Sequence, residues 1–174
     1  MTLPAPLLFF IFAIASGTTA RSCKSTPKAA AQTAPKVVQK GSQVSAVKMS
    51  RGYCYGRCPV YSIEVQSNGL VRYSGKQFVE KEGIYEKTFT PAAVGNLIQE
   101  FNSARVDTMK TTYERLLSDM PSINYTFTFS DGQTKEVENA HYGPQVLAKL
   151  AQRMDELVQT PDYSWKRIAA KVEE

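Results

Sequence analysis

The chain has 174 residues, of which 43% are apolar, enough for one hydrophobic core but too few for a second full domain. The formal charge of +5 is typical of many nucleic-acid-binding proteins, but its position argues against that class. Residues 21–63 hold eight basic side chains and no acid, whereas residues 64–174 hold 13 basic and 16 acidic side chains. The sequence therefore predicts a basic segment, a mildly acidic domain and no nucleic-acid partner.

Residues 1–20 have the composition of an export signal. The apolar run at residues 3–15 has the length of a signal-peptide core and is shorter than the roughly 20 apolar residues that cross a membrane as a helix. The small residues Thr18 and Ala20 suit cleavage before Arg21, although no Lys or Arg precedes the apolar run. We therefore expect an exported protein.

The chain has three cysteines, and exported proteins tend not to leave an odd thiol exposed. Lipidation of Cys23 would remove the odd thiol. Ser22 fits the small residue that precedes a lipidated cysteine, whereas Arg21 and a missing leucine depart from that motif. We predict a membrane-anchored lipoprotein that faces the periplasm or the cell surface. Secretion to the periplasm and an uncleaved anchor are the alternatives.

Residues 21–42 are predicted to be a disordered basic tether. The segment is rich in Ala, Pro, Thr, Gln and Lys and has no aromatic residue, so it lacks the apolar surface that a fold must bury. Its basic charge would attract it to the anionic head groups of a membrane. A solvated linker with no membrane contact explains the composition equally well.

Four strands are predicted before the first helix. The first begins near Gln43, ahead of Cys54 and Cys58. Residues 61–65 alternate between apolar and polar side chains, which is the period of a half-buried strand. An Asn-Gly pair then favours a hairpin turn into a third strand at residues 70–75, and a fourth strand covers residues 84–89.

A helix and two further strands follow. Thr90 is a good N-cap and Pro91 suits the first helical position, so a helix is predicted to begin there. Residues 123–129 show the clearest alternation of the chain and form a fifth strand. The pair Asp131-Gly132 turns the chain into a partner strand at residues 134–138.

A second amphipathic helix is predicted to open at Pro144 and to end at Pro161. The order ββββαββα predicts an α+β domain at residues 43–160, in which one antiparallel sheet of about six strands carries both helices on one face. Residues 161–174 are predicted to be a C-terminal tail. The residues of the buried stripe of the second helix are Leu147, Leu150, Ala151, Met154, Leu157 and Val158.

Residues 54–65, CYGRCPVYSIEV, and residues 69–75, GLVRYSG, have a distinctive spacing. They closely resemble the hallmark of a bacterial family known as domain of unknown function 6438, C-aromatic-G-x-C-P-x-Y followed by G-x-V-x-Y-x-G. The resemblance extends over residues 44–158. It implies an envelope-associated α+β module, often on lipoproteins, and no established activity. The matching residues are Cys54, Tyr55, Gly56, Cys58, Pro59, Tyr61, Gly69, Val71, Tyr73 and Gly75.

Cys54 and Cys58 close a short loop in a compartment that we expect to be oxidising, and Gly56 suits a tight turn between them. A structural disulfide is the leading interpretation. A redox-active pair is the second, but C-x-x-C is the spacing that places an attacking thiol at a helix N-terminus. Metal binding is the third, but zinc requires three or four ligands, and the one histidine, His141, is distant in sequence.

The sequence contains no G-x-S-x-G, H-E-x-x-H, Walker or G-x-G-x-x-G motif, so we predict no catalytic residue, no metal and no cofactor. Tyr53, Tyr55 and Arg57 surround the two cysteines, and these residue types are common interface anchors when exposed. The sequence therefore favours a noncatalytic module that binds an envelope protein or a cell-wall partner. The alternative is a thiol oxidoreductase or an unrecognised enzyme that uses the Cys54/Cys58 loop.

Overall fold

The computed structural model describes residues 41–114, 119–159 and 164–170. These residues form seven strands, two helices and two single 3-10 turns, at Val106–Thr108 and Ala140–Tyr142. The strands and helices are β1 (Val44–Arg51), β2 (Val60–Gln66), β3 (Leu70–Gln77), β4 (Gly83–Thr88), α1 (Pro91–Ser103), β5 (Ile123–Phe129), β6 (Thr134–Val137), α2 (Gln145–Gln159) and β7 (Lys166–Ala169).

All seven strands belong to one sheet, in the order β6-β5-β1-β2-β3-β4-β7, and each neighbouring pair is antiparallel. The position of β1 between β2 and β5 joins the four-stranded first half of the chain to the hairpin of β5 and β6. The predicted α+β fold with one antiparallel sheet is therefore confirmed.

The sheet has seven strands, one more than the prediction of about six, because part of the predicted tail is a strand. β7 pairs with β4, with Tyr85 opposite Arg167 and Glu86 opposite Lys166. β7 has four residues and three of them are exposed, so it lacks the alternation of a half-buried strand. The Trp165 ring, just before β7, contacts the Phe89 ring edge-on at 6.1 Å and holds this segment against the sheet.

The apolar side chains of the strands lie on one face of the sheet, which we call the inner face, and both helices cover it. The Phe101 ring of α1 lies 5.7 Å from Tyr125 and 5.6 Å from Phe127. The Tyr125 hydroxyl donates a hydrogen bond to the Leu147 carbonyl of α2 at 2.8 Å. The opposite, outer face carries mostly polar side chains because successive residues of a strand point to opposite faces.

The helix boundaries follow the predicted signals. Thr90 caps α1, and its hydroxyl oxygen accepts a hydrogen bond from the Ala93 amide at 3.4 Å, with Pro91 in the first turn. α2 begins one residue after Pro144 and ends at Gln159, before Pro161. Each helix therefore begins where a proline suits the first turn.

The predicted export signal (residues 1–20), Cys23 and residues 21–40 of the predicted tether lie outside the described residues. The same is true of residues 160–163 and 171–174, which include most of the predicted tail. Within the described ranges, neither helix is long and apolar enough to cross a membrane.

Candidate functional site

The loop at residues 52–59, which we call the cysteine loop, leaves β1 and returns into β2. The Cα atoms of Cys54 and Cys58 lie 5.8 Å apart, and their sulfur atoms are at disulfide distance. Between them Gly56 adopts a φ of +151°, which other residues rarely adopt, and its amide donates a hydrogen bond to the Cys54 carbonyl at 2.9 Å. The cysteines and the glycine together define the shape of the loop.

Both strands that support the cysteine loop are joined to α2 by one carboxylate. Arg51, the last residue of β1, lies directly opposite Tyr61 of β2. The Asp155 carboxylate accepts hydrogen bonds from the Arg51 guanidinium and, at 2.6 Å, from the Tyr61 hydroxyl. We call these three residues the Asp155 network. It fixes the start and the end of the loop relative to α2.

The Asp155 network lies at the boundary of the core, where Asp155 is only 8% exposed. Burial acts to lower the pKa of Arg51, but the hydrogen bond to Asp155 and the nearby negative charge raise it above its usual value. Burial, together with the hydrogen bond to Asp155, raises the pKa of Tyr61. The tyrosine therefore stays protonated and donates, while the arginine stays charged.

A second tyrosine extends this arrangement along the inner face. The Tyr73 ring of β3 lies 5.6 Å from the Tyr61 ring. Burial raises the pKa of Tyr73 to about 12, with a smaller contribution from the charge of Asp155. Both rings are neutral at physiological pH and pack as part of the core.

The sequence analysis did not identify the Asp155 network. The signal was present, because Asp155 lies four residues after Ala151 and directly follows Met154, which places it on the buried stripe of α2. A carboxylate on an apolar helical face requires a partner, because an unpaired buried charge is strongly unfavourable. The strand alternation identified Tyr61 but not its hydrogen bond.

Among the described residues, the exposed aromatic side chains cluster near the cysteine loop. Tyr55 is 92% exposed, Tyr53 is 56% exposed, and Phe78, just after β3, is 39% exposed. The Arg57 guanidinium lies 5.4 Å from the centroid of the Phe78 ring, within the range of a cation–π contact. We call Tyr53, Tyr55, Arg57 and Phe78 the loop surface. The sequence analysis identified the first three and missed Phe78, which lies far from them along the chain.

Two glycines of the segment at residues 69–75 have structural roles. Gly69 adopts a φ of +98° in the turn between β2 and β3, and a Cβ there would lie 2.5 Å from the Phe89 carbonyl oxygen. Gly75 lies under the loop that follows β3, and a Cβ there would lie 2.0 Å from the Lys81 carbonyl oxygen. Only glycine fits these backbone contacts.

The model of the domain of unknown function DUF6438 matches residues 45–158. The chain belongs to this family. The match extends from β1 to the end of α2, so the DUF6438 domain includes the cysteine loop, the Asp155 network and the loop surface. No curated protein sequence matches the chain.

Within the DUF6438 domain, Tyr55 differs from its neighbours at residues 54–61 because its side chain has no evident structural role. Cys54 and Cys58 close the loop, Gly56 makes its turn, and Tyr61 binds Asp155. In the described part of the chain, no hydrogen bond or ring contact involves the Tyr55 side chain. An aromatic ring held in water by a rigid loop, with no contact of its own, is available for binding.

The chemistry around the two cysteines does not resemble that of a thiol oxidoreductase. β2, and not a helix, follows Cys58, so no helix N-terminus is present to stabilise a thiolate. Residues 41–114, 119–159 and 164–170 include no group of three or more His, Cys, Asp or Glu placed to hold a metal ion. The imidazole Nδ1 of His141 accepts a hydrogen bond from the Ile123 amide at 3.3 Å, which is a structural contact at the start of β5.

The bond between Cys54 and Cys58 is expected to stabilise the domain modestly. Replacement of both, Cys54→Ser with Cys58→Ser, is expected to lower the free energy of unfolding by about 2 kcal/mol, because so short a closed loop removes little entropy from the unfolded chain. The melting temperature should fall by several degrees. Urea unfolding and thiol titration of the purified protein check this. Free thiols at both positions in protein taken from an oxidising envelope would contradict a structural disulfide.

Proposed function

We propose that this chain is an exported envelope lipoprotein whose DUF6438 domain is a noncatalytic module that binds an envelope protein through the loop surface. The observation that carries the proposal is the 92% exposure of Tyr55 at a loop held by the Cys54–Cys58 pair and by the Asp155 network. Exposed tyrosine and arginine on a rigid support are the residue types that dominate binding energy at protein interfaces.

The rigidity of the support strengthens this proposal. A loop that is already ordered loses less conformational entropy on binding than a flexible one, so more of the contact energy contributes to affinity. The cysteine pair constrains the loop within itself, and Asp155 constrains both its ends. The structure thus resembles a rigid scaffold that presents a small number of aromatic anchors.

The amino-acid sequence supports a location at the membrane. A lipid on Cys23, together with the basic residues that follow it, would supply the two signals that stable membrane attachment requires. The acid-free stretch from Lys24 to Ser42 would lie between the membrane and the body of the domain and would favour anionic head groups. The partner protein is then expected within the same envelope compartment.

Site-specific photo-crosslinking in intact cells tests the proposal. A photoreactive phenylalanine derivative at Tyr55 is expected to give a discrete crosslinked species of higher mass, because this side chain is expected to lie within the interface. The same probe at Asn68 is the control. Asn68 is exposed in the turn between β2 and β3, at the opposite end of β2 from the cysteine loop. We expect little or no crosslinking from that position.

The crosslink at Tyr55 should also depend on the rest of the loop surface. Arg57→Ala and Phe78→Ala are expected to reduce its yield strongly, because interface anchors act together. Equal yields from Tyr55 and Asn68 would overturn the proposed interface. Thiol–disulfide exchange by the purified domain that is abolished by Cys54→Ser would instead favour the oxidoreductase alternative.

A further inference from the structure

A groove between α1 and α2 opens to solvent on a surface that the proposed interface does not use. Its volume is about 580 Å³, and we call it the helix groove. It follows α1 from Ser103 back to Asn96, over about 10 Å. Its deepest residues are apolar, because Leu150 is buried and both Ala104 and Val146 are half-buried. The helix groove therefore has an apolar floor.

The charges of the helix groove do not select an ionic ligand. Among the described residues that line it, Lys149 and Glu100 carry one charge of each sign. The Glu100 carboxylate is paired with the Arg153 guanidinium of α2 at 3.2 Å. With its charges balanced and its floor apolar, the groove suits one or two apolar side chains in the space between the helices.

The chain enters the domain beside the helix groove. The Val44 amide donates a hydrogen bond to the side-chain oxygen of Asn102 in α1 at 2.8 Å. Gly41 lies in a small pocket together with Asn102 and Arg105. Asn102 directly precedes Ser103, where the groove begins. The predicted tether, residues 21–42, therefore joins the domain at one end of the helix groove.

The tether has one pair of larger apolar residues, and that pair is within reach of the helix groove. Apart from Ala, Pro and Gly, Val37 and Val38 are the only apolar residues at positions 24–42. An extended chain spans about 3.5 Å per residue, so Val38 lies within about 10 Å of Gly41 and Val37 within about 14 Å. Since Gly41 lies beside the last turn of α1, both valines can reach the groove.

We propose that Val37 and Val38 dock in the helix groove and pack on its apolar floor. The contact is intramolecular, and a short linker gives an effective concentration in the millimolar range, so even a weak contact is populated. Docking leaves residues 24–36 as the free part of the tether. The tether then approaches the domain on its helical side, at the end of β1 opposite to the cysteine loop.

Site-specific photo-crosslinking in the full chain tests the docking. A photoreactive phenylalanine derivative at Ser103, on the exposed rim of the helix groove, is expected to react with the valine pair of the same chain. Trypsin cuts after Lys36 and Lys40, so mass spectrometry should find residues 37–40 attached to the peptide 88–105. This product identifies both partners of the contact.

Matched variants separate docking from simple closeness of the tether. Val37→Ser with Val38→Ser is expected to lower the yield of that product at least tenfold, since burial of one valine side chain contributes about that factor. Ala30→Ser with Ala31→Ser makes the same kind of change farther along the tether and should leave the yield unchanged. These four positions lie outside the core, so the domain should fold in every variant. The probe at Gln152, which is exposed on α2 outside the groove, should give little of the product.

Three outcomes would reject the docking. Equal yields from the parent and the valine variant would show that the crosslink reports only the position of Gly41 beside α1. A product with the mass of two chains, or one that contains another protein, would assign the helix groove to a second copy or to a partner. Loss of the product at raised salt would indicate attraction between charges, because salt screens charges and not apolar contacts. None of these results would affect the loop surface, which the crosslink at Tyr55 tests separately.

Discussion

Asp155→Ala is expected to lower the free energy of unfolding by about 3 kcal/mol, the lower end of the range for breaking a buried ion pair. The substitution removes the acceptor of both Arg51 and Tyr61 and leaves a partly buried guanidinium without its partner. The lower end of that range applies because the Arg51 side chain is already 22% exposed, so water can partly hydrate its guanidinium once the Asp155 carboxylate is removed. Urea unfolding of the purified domain measures the loss.

Glu156→Ala is the matched control for this experiment. Glu156 is the next residue of α2, its side chain is 55% exposed, and among its contacts are Arg153 at 3.9 Å and a hydrogen bond from the Gln152 amide at 3.3 Å, both on the same exposed helix surface. Such an exposed pair contributes less than about 1 kcal/mol, so this variant should unfold almost like the parent. If Asp155→Ala were no more destabilising than Glu156→Ala, the Asp155 network would not hold the domain together.

Asp155→Ala should also loosen the cysteine loop. Because Asp155 binds the residue before the loop and a residue of β2 just after it, its loss frees both ends at once. Amide hydrogen exchange is expected to become faster at residues 52–61, while the exchange rate at the turn around Asn68 should not change. Lower crosslinking from Tyr55 should accompany that change, since an unconstrained loop loses more entropy on binding.

The sequence predicts most of this fold because its strands and helices have strong, regular patterns. Residues 123–129 alternate over their whole length, and the structure has a strand at those residues. Thr90 and Pro91 mark the start of α1 without any tertiary information. β7 was missed because a short, exposed edge strand depends on its pairing with β4, and that pairing leaves no periodic signal.

The candidate site was predicted only where its residues are neighbours along the chain. Cys54, Tyr55 and Arg57 lie within one short segment, so their proximity follows from the sequence itself. Asp155 lies 94 residues after Tyr61, and only the packing of α2 on the sheet brings the two together. Sequence alone does not specify that packing in detail.

The alignment of Ser50, Ser62 and Ser74 on the outer face could not be predicted for a related reason. These serines come from three different strands, and their alignment depends on the registers of β1 with β2 and of β2 with β3. A change of one residue in either register would move the serines to the inner face. The alternation predicts which residues share a face, but it does not predict which of them lie opposite each other.

Gly75→Ala is expected to destabilise the domain by about 3 kcal/mol, the upper end of the usual range for an overpacked site. A Cβ at this position would lie 2.0 Å from the Lys81 carbonyl oxygen and 2.9 Å from a methyl carbon of Val79. The first of these atoms belongs to the backbone, so a change of side-chain rotamer does not relieve the contact. The loop after β3, which carries Phe78, must then move away from the sheet.

Gly95→Ala gives the matched comparison, because the same methyl group is added where nothing lies within 4 Å. Gly95 is inside α1, where alanine is favoured over glycine by about 1 kcal/mol, so this variant should be more stable than the parent. Thermal unfolding of the two variants should therefore move in opposite directions. A Gly75→Ala variant as stable as the parent would show that the loop at residues 78–82 moves aside easily. In that case Phe78 would not be held as part of the loop surface.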